Sequence, residues 1–329
     1  MKQSIKRGLA AGLAIGCLAS AALPSAADGL AEVSVPSEVT ETGESVWLYE
    51  REAGESVADL ILAAGAEAWN ETAAVPAEAS DLKVGGKGAV LIDLDSGRVL
   101  FEQDSHTRVP IASVTKVMTL LLVMEAVDAG KIKLDDMVPV SEHAASMGGS
   151  QVYLKVGEEM TVEEMIKCVV ISSANDCAVA LAEFVAGSEE AFVTQMNARA
   201  EALGMENTHF ENTNGLDDTV ANHVISARDI AIMSRELIQH ELILKYSSIW
   251  MDTIRNGAFG LTNTNRLVRF YSGANGLKTG STAKAKFCIS ATAKRDGMQL
   301  IAVIMAAPTR DVRNNAAKQL LDFGFANYG

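Results

Sequence analysis

Two hairpin signatures stand at opposite ends of one long segment of this chain, and mostly helical patterns and polar loops lie between them. "GAVLIDLDSGRVLFEQD" carries two apolar runs around Asp95, Ser96 and Gly97, and "KFCISATAKRDGMQLIAVIMAA" carries two more around Asp296 and Gly297. Acidic residue–glycine pairs between apolar runs are strong short-range hairpin signals, because the tight turn needs positive φ. A strand near Lys278 precedes the second pair, and "VRNNAAKQLLDFGFANY" closes as a helix. Strands from both ends must therefore meet in one antiparallel sheet with helices on its faces, an α/β fold in the broad sense, or α+β.

The helices between have readable ends. "VPIASVTKVMTLLLVMEAVDAG" runs from Val109 to a stop at Gly130 and is free of proline after Pro110, which lies just before the helix start. Thr161 and Glu164 form a capping-box pattern before "VEEMIKCVVI". Ser188 begins a helix that stops at Gly204, after another that ends at Gly187, and "SARDIAIMSRELIQH" supplies one more. "VPVSEHAASMGGSQVYLKVGEEM" reads as polar loop.

The flank before this segment differs in texture. Lys2, Lys6 and Arg7 precede the apolar "GLAAGLAIGCLASAAL", and "PSAAD" offers small residues before a cut after Ala27. Residues 1–27 thus read as a signal peptide and the protein as exported, with Cys17 as a rival lipid-attachment site. Residues 28–85 read as an acidic flexible spacer, with thirteen acids between Asp28 and Asp81 against Arg51 alone, though "ESVADLILAAGAEAW" could form a short helix. Residues 86–329 are the catalytic-sized domain. A net charge of −14 with no basic stripe argues against nucleic acid as partner.

Cys168, Cys177 and Cys288 occupy apolar settings and read as buried thiols. No cysteine or histidine spacing suggests a metal site, and no cofactor is expected. The histidines, His106, His143, His209, His223 and His240, are scattered and read as surface residues.

Chemistry concentrates in three short motifs. Ser113 and Lys116 stand three apart where an apolar helix begins, so they share a face. Ser173, Ala174 and Asn175 fall in a short loop between two helices, and Lys278, Thr279 and Gly280, followed by Ser281, open the strand group. Ser-x-x-Lys arises about once by chance in a chain of this length, and Ser281 with Lys284 is such a decoy. Singly, Lys278 could be a surface lysine and Asn175 a helix cap. Together, the trio in this order is the signature of penicillin-binding proteins and serine β-lactamases.

With "IASVTKVMT", "MGGSQVYLKVGEEMTVEEMI", "LGMENTHFENTNGLDD" and "NGLKTGST", the segment from Lys87 to Gly329 resembles the low-molecular-mass serine D-alanyl-D-alanine carboxypeptidases of peptidase family S11. The resemblance implies a β-lactamase/transpeptidase-like fold, a five-stranded antiparallel sheet with flanking helices and a helical subdomain, the site lying between. It implies that Ser113 is the nucleophile and neutral Lys116 its base. Burial and the Lys278 cation would lower the Lys116 pKa. Ser173 would relay a proton to the departing D-alanine, Asn175 would hold the substrate amide, and Thr279 and Lys278 the terminal carboxylate. The backbone N–H groups of Ser113 and Ser281, beside Gly280, would form an oxyanion hole. Peptidoglycan stem peptides are the implied substrates and β-lactam antibiotics the implied inhibitors.

The chain departs from the family at Ala174, where glycine is usual. Pro308 and Arg310 occupy the place of an auxiliary arginine, which puts that contact in doubt. The chain ends at "FGFANYG" without the β-rich domain or basic amphipathic helix that many relatives add, so no C-terminal anchor is expected. Asp229 matches a family position near the site, but a helix-start aspartate explains it equally well. A β-lactamase using Glu206 or Glu211 for deacylation, a D,D-endopeptidase, and a penicillin- or cell-wall-binding module without turnover remain as alternatives.

Overall fold

The computed structural model describes residues 82–218 and 220–329. The signal-like start, Cys17 and the spacer as far as Asp81 lie outside the described residues. Residues 82–85, expected as the end of the spacer, are described, and Val84 is buried with its N–H donating to Gln103 Oε1.

The first hairpin forms as expected, with β1 (Gly88–Asp93) and β2 (Val99–Gln103) joined by a turn in which Gly97 takes φ +68°. Helix α1 (Lys116–Asp128) follows a tight 3₁₀ turn, Ala112–Thr115. Ser113 therefore sits on that turn rather than in the first turn of the α-helix. Almost every side chain of α1 is buried, so it is a central helix without a polar stripe.

The stretch read as polar loop contains a small ribbon, β3 (Met137–Pro139) paired with β4 (Glu159–Thr161). Helix α2 (Val162–Lys167) starts with Thr161 Oγ1 accepting from the Glu164 N–H, and it widens into a π-helical turn, Cys168–Ser172. Helices α3 (Asn175–Ala186) and α4 (Glu189–Ala202) follow, the first stopped by Gly187 at φ +85° and the second capped by Ser188. Helix α5 (Ala227–Ile238) is capped by Ser226, and α6 (Glu241–Ser247) succeeds it. Each such side-chain cap contributes about 1 kcal/mol.

A hairpin absent from the sequence reading comes next, β5 (Met251–Ile254) and β6 (Phe259–Thr262). The last strands are β7 (Ala274–Thr282), β8 (Lys286–Arg295) and β9 (Met298–Ala307), and helix α7 (Arg310–Tyr328) ends the chain. The main sheet has five strands, all antiparallel, in the order β2-β1-β9-β8-β7.

Period-two alternation divides the core. Val90, Ile92, Ile301 and Val303 point to the helical block around α1, while Ala89, Leu91, Ala302 and Ile304 meet Ala317, Leu320 and Leu321 of α7. With both faces covered, β1 and β9 read as nearly continuous apolar runs, unlike a half-solvated strand. Each fully buried Leu or Ile contributes roughly 1.5–3 kcal/mol. This sandwich fixes β7, the edge strand, against the start of α1. Among the described residues Cys168, Cys177 and Cys288 are buried free thiols. Among the described residues no helix is long and apolar enough to cross a membrane.

Candidate active site

The three motifs converge. Lys116 Nζ lies 3.0 Å from Ser113 Oγ and donates to Asn175 Oδ1 and to the Asn214 carbonyl, each at 2.6 Å. Lys278 Nζ donates to Ser173 Oγ and to the Thr279 carbonyl, each at 2.8 Å. Both lysines are inside the protein, at 0% and 1% exposure, so neither is a surface residue.

Local backbone explains how each side chain is aimed. The π-helical turn ends at Ser173, which takes φ +65°, a left-handed conformation that costs a non-glycine residue energy and is kept where the surroundings enforce it. Asn175 is not a helix cap, since Ala174 holds that position. Its amide bridges Lys116 and the Gly148 carbonyl, the latter at 2.6 Å from Nδ2. Asp176 beside it is buried and accepts from the N–H groups of Val152 and Leu154, which ties the segment joining β3 to β4 to the site.

Gly280 is where strand meets nucleophile. A Cβ there would stand 2.9 Å from the backbone nitrogens of both Ser113 and Val114, so only glycine lets β7 approach this closely. Thr279 Oγ1 donates to Thr264 Oγ1 at 2.8 Å, and Ser281 is exposed beyond it. The decoy pair separates: Lys284 Nζ donates to the Asp217 carbonyl instead of serving Ser281.

The electrostatics follow from burial among cations. Burial holds the Lys116 amine well below the ordinary lysine pKa; the Lys278 charge lowers it further, and Asp176 partly opposes this. Burial, then the Arg313 charge, brings Lys278 down to about 7. Arg313 is itself lowered to about 10 by burial and by Arg310.

An open cleft of about 380 Å³ exposes this chemistry, walled by Ser113, Ser173, Thr279 and Ser281 on one side of the chemistry and by Arg310 and Arg313 near α7. Both arginines belong to α7 and line the cleft, Arg313 buried and Arg310 exposed. Arg313 went unnoticed because it reads as one polar position of a terminal helix.

Asp229, by contrast, serves its loop. It accepts from the Asn207 N–H and the Thr208 hydroxyl at the start of α5. His223 corrects the expectation of surface histidines: it is 4% exposed and contacts Thr115 Oγ1 at 2.7 Å. Glu211 accepts from the Asn222 N–H, and among the described residues no carboxylate forms part of the cleft wall.

Residues 70–309 match the family model for D-alanyl-D-alanine carboxypeptidase, peptidase S11. The chain is 50% identical over 252 residues to the D-alanyl-D-alanine carboxypeptidase DacF of Bacillus subtilis, covering 76% of this chain and 64% of that protein. To DacA of Escherichia coli it is 36% identical over 250 residues, 74% of this chain and 61% of the other. The chain therefore spans less than two thirds of the length of these relatives. Among solved structures, penicillin binding protein 6B from Escherichia coli aligns with a TM-score of 0.73 at 33% identity, covering 78% of this chain and 83% of that one. Penicillin-Binding Protein D2 from Listeria monocytogenes, in its ampicillin-bound form, aligns with a TM-score of 0.68 at 31% identity, over 74% and 99%. The motif order, the antiparallel sheet and these matches agree, and the chain belongs to the peptidase S11 family of D-alanyl-D-alanine carboxypeptidases.

Proposed function

We propose that the protein is a serine-type D-alanyl-D-alanine carboxypeptidase that removes the terminal D-alanine from peptidoglycan stem pentapeptides through an acyl-Ser113 intermediate. The observation that carries this reading is the set of partners around Lys116. Its two carbonyl-type neighbours, Asn175 Oδ1 and Asn214 O, accept only, while the third partner is a hydroxyl. A neutral amine has two N–H donors and one lone pair, so this environment suits a base whose lone pair faces the Ser113 hydroxyl.

In that reading Lys116 takes the Ser113 proton as Oγ attacks the carbonyl carbon of the penultimate D-alanine. The carbonyl oxygen gains charge facing the Ser113 and Ser281 N–H groups; each such donor lowers the barrier by about 3–4 kcal/mol. The C–N bond then breaks, and Ser173, bonded to Lys278, passes a proton to the leaving amine. Thr279, Lys278 and Arg313 face the terminal carboxylate, and the remaining Asn175 N–H faces the substrate amide. Water attacks the ester, D-alanine having left, and restores Ser113.

Penicillin would acylate the same serine, as the ampicillin-bound form of the Listeria relative supports. With no carboxylate on the described cleft wall to activate water, the penicilloyl ester should be long-lived, which favours this reading over a β-lactamase. The basic start and apolar run of residues 1–27 support export to the cell wall or beyond it, and the acidic residues that follow suit a spacer. The test is D-alanine release from a pentapeptide ending in D-Ala-D-Ala, with Ser113→Ala as the control. Release that is absent from the wild type, or that persists in the variant, overturns the assignment.

A further inference from the structure

The Ser113 turn is held from behind by a buried histidine that the chemistry above does not use. Thr115 Oγ1 donates to the Ala112 carbonyl at 2.8 Å, so its lone pairs receive the His223 Nε2 contact at 2.7 Å. The Glu211 N–H donates to His223 Nδ1 at 2.8 Å. With Nδ1 accepting, the ring proton lies on Nε2, and both nitrogens of the neutral imidazole are satisfied. The ring packs edge-on against Phe210 with centroids 5.8 Å apart, out of water.

Both ends of this relay meet the nucleophile apparatus. Ala112, directly before Ser113, is left-handed at φ +54°, a conformation that costs a non-glycine residue energy. The chain at 211–215 lies against the same turn: Asn214 O receives Lys116 Nζ, and a Cβ on Gly215 would stand 1.9 Å from Ala112 O. His223 bridges the two, fixing the turn that carries Ser113 and the strap that carries the Lys116 acceptor.

We propose that His223 is a positioning residue for acylation, which sets Ser113 against Lys116 by donating through Thr115 to the strained Ala112 carbonyl. The inference rests on the acyl-serine reading above. Charged or titratable groups around the ring are Glu211, His209, Asp217 and Lys116. A second ring proton would oppose the Glu211 N–H and place a cation near Lys116, so the neutral ring is the working form.

Two half-mimics separate this role from mere packing. In His223→Gln the amide nitrogen reaches as Nε2 does and can still donate to Thr115; in His223→Asn the amide oxygen replaces Nδ1 toward Glu211 and the donation to Thr115 is lost. Thr115→Val removes the relay hydroxyl at constant shape. The readout is the rate of Ser113 acylation by a fluorescent penicillin, separated from its binding constant. His223→Asn and Thr115→Val should each slow acylation roughly 10- to 100-fold with binding little changed, while His223→Gln stays within about threefold of wild type on the same geometric argument. Wild-type acylation in Thr115→Val, or equal loss in the Asn and Gln variants, overturns the inference. Should a histidine variant fail to fold, Thr115→Val decides alone. A wild-type protein that penicillin does not acylate would instead sink the proposed function.

Discussion

Lys278 serves Ser173 by contact and Lys116 by charge: its Nζ donates to Ser173 Oγ at 2.8 Å, and its positive charge depresses the Lys116 amine already lowered by burial. Activity in the free enzyme should therefore rise with pH as Lys116 loses its proton and fall as Lys278 loses its own near 7. Removing the cation with Lys278→Gln lets Lys116 hold its proton more tightly, so the acid limb should move to higher pH. The alkaline limb attributable to Lys278 should vanish. Burial remains the larger cause, so Lys116 should stay below the ordinary lysine range. Penicillin acylation rates across pH provide the check, and an unmoved acid limb would refute the coupling.

Much of this geometry was legible because local signals agreed with the global arrangement. The turns at Gly97 and at Asp296–Gly297, and the caps at Thr161 and Ser188, all form where turn and cap chemistry puts them. The β5–β6 hairpin carried its own signal in Asn256 and Gly257, both at positive φ, but its strands alternate too weakly to stand out. The site residues were found through motif spacing. Asp176, Arg313 and His223 were not, because each works through a partner distant in sequence: Val152 for Asp176, Lys278 for Arg313, and Thr115 for His223. Burial of a charged or polar side chain is a tertiary fact, and single-residue patterns do not encode it. The 3₁₀ turn under Ser113 was missed for a related reason, since contacts from Gly215 and Gly280 impose it.

Gly280 offers a steric test. In Gly280→Ala the new methyl would sit 2.9 Å from the Ser113 and Val114 nitrogens, and both are backbone, which cannot swing aside. The strand must retreat, carrying Thr279 and Ser281 with it. A loss of roughly 100-fold in acylation is expected from such a displacement, with about 1–3 kcal/mol of destabilisation from overpacking. Denaturant melts and acylation rates measured on one preparation would separate the two effects. Unchanged acylation would show that the close approach is unnecessary.

Asn175 tests the neutrality of Lys116 directly. Its Oδ1 stands 2.6 Å from Nζ, and an aspartate there would present a carboxylate at the same place. The negative charge favours the ammonium form, which donates to Ser113 but cannot take its proton. Asn175→Asp should fall at least about 100-fold in acylation near neutral pH, in line with the loss of a general base. Raising the pH should restore part of the rate in this variant more than in wild type. A variant that acylates normally at neutral pH would show that Lys116 is not the base.

The buried His223 also links stability to pH. Burial holds its pKa down to about 4, against 6.5 for the ordinary side chain. Between those values the unfolded chain takes up a proton that the folded protein refuses, so the histidine's stabilisation is complete above about 6.5 and is lost as pH falls through about 4. The loss attributable to it is at most about 3 kcal/mol. Exposed His143 has the opposite sign, since Glu189 raises its pKa, but solvent screens that pair and its effect should be small. In urea melts at pH 7, 5.5 and 4.5, wild type should lose ground steadily relative to His223→Gln, whose amide does not titrate. The variant is expected to be the less stable at pH 7 and to approach or pass wild type at the acid end. A difference that stays constant across the three pH values would mean that His223 folds with its proton affinity unchanged, and that the imidazole is not held neutral by its surroundings.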